Sequence, residues 1–376
     1  MNILIDDPGG ILKSRLVLLV TAVSLVLAFP GVAASSAPKG SARSLPCRDA
    51  ADAAHRLTMR VDGEKATGHY AVPRTAPSTL VVFGRGYGHT SYSWVEHMKD
   101  AARDHGVAAA TMDYRGAEIF PDSNDDGLPE SRGWDVLKGA EDSIAVAQAF
   151  ERSCSSIDNI IIFGVSLGGN TAGLVVALQG ERGVTDSEGE PLFDHWFNIE
   201  GATNVTETYA EARLLASVNS TAAKALEDIE REMGGPIESD PAPYQERTVV
   251  ARMDDIEASG IKGVVVVHGL DDGLVPYNQG REMATLLASS GIDTDMYTVG
   301  RKSPESESET TASGHVMSNV DPNYRSPLAG HASEKSKTHI IMVTAFERLW
   351  SLVDDGQEPG GPYREFFVDG EAGTFP

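Results

Sequence analysis

The sequence predicts an α/β fold in which a mostly parallel central sheet carries helices on both faces. Strand-like and helix-like segments alternate from Thr79 onward, the pattern that strand–helix–strand units leave in a chain. Two of the strand-like segments, 159–163 and 263–267, hold unbroken apolar runs from their second residue onward. A strand with one wet face alternates polar and apolar residues, whereas a continuous run suits a strand covered on both sides.

The first strand-like pair, 57–61 and 68–72, flanks Asp62-Gly63, a turn dipeptide that joins antiparallel strands. Residues 79–83 form a β-rich apolar run that ends in the glycine-rich loop 84–88. Residues 93–105 read as a helix, 107–112 as the next strand, and 117–133 as a polar, turn-rich loop. The segment 134–152 places Val136, Ala140, Ile144 and Ala147 on one helical face. Another helix-like stretch, 171–178, follows the apolar run at 159–163.

Residues 204–259 break the rhythm with helix-like stretches at 206–218 and 222–233 and a proline-containing loop. We read them as a helical insertion over the sheet. Alternation resumes with the strand at 263–267, a helix at 279–289 and a strand at 294–299. The loop 300–330 is long and rich in Ser, Glu, Thr and Pro, and loops of that length carry function or disorder. The last helix, 339–353, spaces Met342, Phe346, Leu349 and Val353 along one face. The domain therefore runs over 54–353, with a small-residue linker at 35–53 and an acidic, Gly/Pro-rich tail at 354–376.

Acidic residues number 55 against 31 basic ones, a formal charge of −24 over 376 residues. A phosphate-binding surface needs the opposite sign, so the composition argues against nucleic acid as a partner. Arginine outnumbers lysine. Acid-rich, lysine-poor surfaces suit concentrated salt, where counterions screen self-repulsion; an ordinary acidic protein has the same balance. The amino terminus has Lys13 and Arg15, an apolar run from Leu16 to Phe29, and small residues around Val32-Ala33-Ala34. That order is the order of an export leader. The run is shorter than the ~20 residues of a spanning helix, so 1–34 reads as a signal peptide, with an uncleaved membrane anchor as the alternative. Either way the domain is extracytoplasmic, with no stable membrane insertion beyond that segment. Cys47 and Cys154 are free to pair in such a compartment. Neither lies in a zinc-like spacing, so no metal site is assigned. Asn204 and Asn219 each begin an Asn-x-Thr sequon.

The sharpest chemical signal is Gly164-Val165-Ser166-Leu167-Gly168, set between the apolar run at 159–163 and a helix-like stretch. A serine on a tight strand-to-helix turn projects its hydroxyl away from the backbone, and the helix presents unpaired N–H groups beside it. Serine also needs a base, and the base an orienting acid. Four valines, 264–267, lead into His268-Gly269-Leu270-Asp271-Asp272. Two carboxylates therefore emerge at the carboxyl end of a buried strand, where ligands of parallel sheets bind.

Here the chain resembles the α/β-hydrolase superfamily of serine esterases, lipases and peptidases. Gly164-x-Ser166-x-Gly168 is similar to its nucleophile elbow, and Gly269-x-x-Asp272-x-x-Val275-Pro276 to the segment that carries its acid. The resemblance covers roughly 79–353 and implies Ser166 as nucleophile, Asp272 as acid, and a histidine after Asp272 as base. His331 is placed best, on a loop just before the last helix; His315 is the alternative, and His339 opens the helix itself. Backbone N–H groups of Leu167 and Tyr87 are implied as the oxyanion hole, with Arg85 standing where the family commonly has His. His89, Tyr92, Trp94 and His97, close by in sequence, either line the substrate entrance or pack.

The function so implied is a secreted serine hydrolase that cleaves a small carboxylic ester through an acyl-enzyme and needs no cofactor. The alternatives are a prolyl-oligopeptidase-like peptidase and a non-catalytic binding protein on the same fold. The charge balance yields its own test, a denaturation curve at several salt concentrations. A halophilic origin predicts stability that falls steeply below molar salt; a flat response leaves the ordinary acidic protein.

Overall fold

A row of residues that alternates between two hydrophobic layers describes the centre of the molecule. On the sheet strand Thr79–Gly84, Leu80 and Val82 point to one layer while Val81 and Phe83 point to the other. The same split recurs at Ile160 and Ile162 against Ile161 and Phe163, and at Val264 and Val266 against Val265 and Val267. Period-two alternation into two apolar layers is what a sheet buried on both faces requires. The computed structural model describes residues 45–51, 53–122, 127–300 and 330–369, with the backbone of short strands at Gly40–Ser41, Glu309–Thr310 and Val316–Met317.

The sheet has ten strands: β1 (Gly40–Ser41), β2 (Ala54–Val61), β3 (Glu64–Ala71), β4 (Thr79–Gly84), β5 (Ala108–Met112), β6 (Asn159–Val165), β7 (His195–Ile199), β8 (Gly263–Gly269), β9 (Thr294–Gly300) and β10 (Arg364–Asp369). Their spatial order is β1-β2-β3-β5-β4-β6-β7-β8-β9-β10. The first three pairings, β1–β2, β2–β3 and β3–β5, are antiparallel. Every pairing from β5 to β10 is parallel. Asp62 and Gly63 both take positive φ, 50° and 86°, as a two-residue hairpin turn between twisted strands demands.

Helices α1 (Val95–Asp104) and α9 (Ile340–Asp355) cover one face. Helices α2 (Val136–Ser153), α3 (Leu167–Arg182) and α8 (Tyr277–Ser289) cover the other. Between β7 and β8 lie α4 (Val205–Leu215), α5 (Ser220–Met233), α6 (Ala242–Arg247) and α7 (Met253–Ala258). Asn204 and Asn219 cap α4 and α5, accepting from the N–H groups of Glu207 and of Thr221 and Ala222. Under α1 and α9, Trp94 stacks on Phe83 at 4.5 Å and His97 on Phe346 at 4.5 Å. Trp94 and His97 are buried there, so they pack the core and do not line an entrance.

Four segments depart from the sequence expectation. The 354–376 tail is not all tail: β10 extends the sheet in parallel beside β9, with Phe366 stacked on Tyr297 at 4.7 Å and Arg364 paired to the buried Asp295 at 2.7 Å. Its pairing partner is distant in sequence, so composition alone hides it. The end of the 35–53 linker is likewise held, with Leu45 buried and Cys47 joined to Cys154. Strand β7 and a small hairpin of Glu118–Phe120 with Glu130–Arg132 lie where no strand is expected. Among the described residues no helix is long and apolar enough to cross a membrane; the 1–34 segment lies outside them.

The Cys47–Cys154 disulfide spans 107 residues of sequence. A closed loop of that size removes about 4–5 kcal/mol of unfolded-chain entropy. Urea denaturation with and without reductant is expected to show a loss of about 2–5 kcal/mol on reduction, matched by Cys47→Ser under oxidising conditions.

Candidate active site

Three backbones crowd together where β4, β6 and β7 end, and they decide the shape of the turn after Val165. A methyl group at Gly164 would sit 1.9 Å from the carbonyl oxygen of Gly168, and one at Gly168 would sit 2.2 Å from that of Gly84. One at Gly169 would meet the Gly201 Cα at 2.5 Å. Only glycine fits at these positions, because the obstacle in each case is backbone. The turn they permit leaves Ser166 at φ 58°, ψ −121°, a conformation that costs a non-glycine residue roughly 1–3 kcal/mol and persists only when its surroundings enforce it. Here they do: the Ser166 N–H donates to the Ile199 carbonyl at 2.9 Å, and its carbonyl accepts from Gly169 and Ala202. The residue is only partly buried, and Leu167 begins α3 immediately after it.

Asp272 lies just beyond β8, its side chain fully buried. One carboxylate oxygen accepts from the N–H groups of Leu274 and Val275, at 2.8 and 2.9 Å. The other accepts from Nδ1 of His331 at 2.7 Å and lies 3.5 Å from Nε2 of His268. Burial works against this carboxylate, but the hydrogen bonds and positive charge of the two histidines outweigh it and hold the group well below the usual carboxylate range. Burial also opposes a charged His331; the hydrogen bond and charge of Asp272, with the charges of Glu200 and Glu334, reverse that and raise the imidazole to about 9. Nε2 of His331 has no hydrogen-bond partner among the described residues. Of the other histidines, His339 caps α9, its Nδ1 accepting from the Ile341 N–H, and His315 lies outside the described residues.

The loop after β4 is held from two sides. Arg85 is fully buried, its guanidinium 4.3 Å over the Tyr114 ring and its Nε donating to the Asp113 carbonyl. It therefore anchors the loop from inside. Glu334, three residues past His331 and also buried, accepts from the Gly86 N–H at 3.0 Å and pairs with His89 at 2.7 Å. With Gly86 so engaged, the Tyr87 N–H is the next along the loop, and neither it nor the Leu167 N–H has a partner among the described residues. The Tyr87 hydroxyl donates to Asp228 of α5 at 2.6 Å, and Asp228 also receives Arg132 and Arg231. A cleft of about 670 Å³ opens beside this loop, lined by Tyr87, His89, Phe120, Arg132 and Lys224.

Sequence reasoning missed four of these residues. Glu200, Asp228, His268 and Glu334 are all buried, and their roles come from contacts made across the fold. Glu200 alone left a faint signal, an acid just after Trp196, Phe197 and Ile199.

The model of the prolyl oligopeptidase family matches residues 91–303, a span that contains Ser166 and Asp272 and stops before His331. Among curated proteins no sequence match was found. A puromycin hydrolase structure aligns over 83% of this chain and 40% of its own, at 16% identity and a TM-score of 0.53, which shows the α/β-hydrolase fold. An acylaminoacyl peptidase of Pyrococcus horikoshii aligns at 15% identity and a TM-score of 0.47, over 65% of this chain and 36% of that one. A Pyrobaculum calidifontis esterase aligns at 19% identity and a TM-score of 0.47, over 66% and 75%. The chain thus spans little more than a third of the length of the acylaminoacyl peptidase. With the family match extending over more than half of the sequence, the chain belongs to the prolyl oligopeptidase family.

Proposed function

We propose that this protein is an exported serine hydrolase that cleaves carboxylic esters of small substrates by acyl transfer. One observation carries the reading: a partly exposed serine on an enforced turn shares its sheet edge with a buried Asp272–His331 pair bonded at 2.7 Å. Ser166 attacks the acyl carbon and His331 Nε2 takes its proton. Asp272 keeps the Nδ1–H tautomer and stabilises the imidazolium. The N–H groups of Tyr87 and Leu167 receive the oxyanion. The protonated imidazole returns its proton to the leaving group, and water, activated by the same base, releases the acid. Export is supported by the leader-like 1–34 segment and by the Cys47–Cys154 disulfide.

Peptide-bond cleavage is the second reading, favoured by membership of the prolyl oligopeptidase family. Esters are placed first because their leaving group makes the smaller demand on the general acid. An alkoxide departs with little help, whereas an amine leaves only when protonated.

Two outcomes follow. A phosphonate probe is expected to label Ser166 in the folded protein, and Ser166→Ala to abolish labelling and lower ester hydrolysis by about 10⁴-fold or more; a folded protein that does not label is a binding protein. Neutral His331 is the working base, so kcat/KM should fall as pH drops through its pKa. That limb is expected well above the 6.5 of ordinary histidine, toward 9. A side-by-side assay of short-chain esters and peptides then ranks the two substrate classes.

A further inference from the structure

Glu200 follows β7, the strand between the one that delivers Ser166 and the one that delivers Asp272. It is fully buried, and its φ of 47° is left-handed, a conformation that costs a side chain such as glutamate about 1–2 kcal/mol. Its backbone is pinned by a hydrogen bond from its N–H to the Val267 carbonyl at 2.9 Å. Its carboxylate reaches two loops at once. One oxygen accepts from the Gly269 N–H at 3.1 Å, at the root of the loop bearing Asp272; the other accepts from the Ala332 N–H at 2.6 Å, next to His331. That second oxygen lies 3.6 Å from Nδ1 of His331, against 2.7 Å for Asp272. Two carboxylates therefore converge on one ring nitrogen, with ligand atoms of Glu200, Asp272 and His331 all within 4.8 Å of one another.

We propose that Glu200 is a positioning residue that fixes the His331 ring jointly with Asp272, and that it becomes the partner of Nδ1–H when Asp272 is removed. The inference rests on His331 being the base, as proposed above. A purely structural glutamate would need only its two N–H contacts. The placement of the oxygen that binds Ala332 within 1 Å of hydrogen-bonding distance to Nδ1 is what adds a second function. The groups that face this carboxyl are Asp272 and His268 from the β8 side and His331 from its loop. Burial first, and the charge of Asp272 second, push Glu200 up to about 7. Its negative charge in turn helps to hold His331 in the protonated state.

The test measures kcat, KM and the pH profile of ester hydrolysis for wild type, S166A, D272A, E200Q, E200D and D272A/E200Q, with phosphonate labelling of each. Alanine is chosen at 272 because an amide there would turn an N–H toward Nδ1 and trap the wrong tautomer. D272A is expected to lose on the order of 10²-fold in kcat, against the roughly 10⁴-fold lost when a triad acid is truncated with nothing to replace it, and D272A/E200Q to fall the rest of the way. E200Q should lower kcat with KM unchanged and move the acidic limb to lower pH, since removing a negative charge weakens the imidazolium. E200D, which keeps the charge, should leave the limb near its wild-type position. The proposal is overturned if D272A already falls to the level of S166A, a comparison that needs no folded Glu200 variant. It is also overturned if folded E200Q keeps both kcat and limb. Failure of wild type itself to label sinks the triad reading and this inference with it, whereas labelling with an inactive D272A removes only the inference.

Discussion

The contact on which the rest depends is backbone against backbone at the carboxyl end of the sheet. The carbonyl of Gly84 leaves residue 168 no room for a side chain, the Cα of Gly201 leaves residue 169 none, and the carbonyl of Gly168 closes the space at residue 164. Once β4, β6 and β7 are in register, Ser166 has no relaxed conformation available, and it is held at positive φ by hydrogen bonds to Ile199, Gly169 and Ala202. The strain is supported by two apolar layers in which Phe83, Phe163 and Phe197 lock the same three strands from one side. Packing far larger than the local penalty thus sustains a local conformation the chain would not adopt alone.

A second constraint is electrostatic. Asp272, Glu200 and Glu334 are all buried carboxyl groups near one imidazole. A buried carboxylate is tolerable only when its lone pairs are engaged, and each of these is engaged by backbone N–H groups: Leu274 and Val275 for Asp272, Gly269 and Ala332 for Glu200, Gly86 for Glu334. The same bonds that offset burial also join the loops. Glu334 ties the loop carrying His331 to the loop after β4, and Glu200 ties it to the end of β8. The helices between β7 and β8 are joined to this assembly through Asp228, which receives the Tyr87 hydroxyl and two arginines. His331, Asp272 and the loop bearing Tyr87 are consequently parts of one hydrogen-bonded unit.

Much of this was legible in the linear sequence. The α/β class, the serine turn and the acid segment each rest on contiguous signals: an apolar run, a glycine pattern and a carboxylate at a strand end. Such signals survive without tertiary information because they report what a chain must do locally to make a parallel sheet and a tight turn. The strands β7 and β10 were not legible. β7 is short and follows a polar turn, and β10 lies in a tail whose composition resembles disorder; β7 is held by hydrogen bonds from both β6 and β8, and β10 by the edge that β9 offers.

By itself, then, the sequence determined the alternation of most elements, β7 and β10 excepted, and the residues at the turn after β6 and at the end of β8. Tertiary structure alone decided which histidine meets Asp272, that Arg85 anchors the loop after β4 from within, and that Glu200, His268 and Glu334 surround the imidazole. The physical reason is range. Backbone geometry is set by neighbours in the chain, whereas the charge and hydrogen bonding of a buried side chain are set by groups as many as 248 positions away.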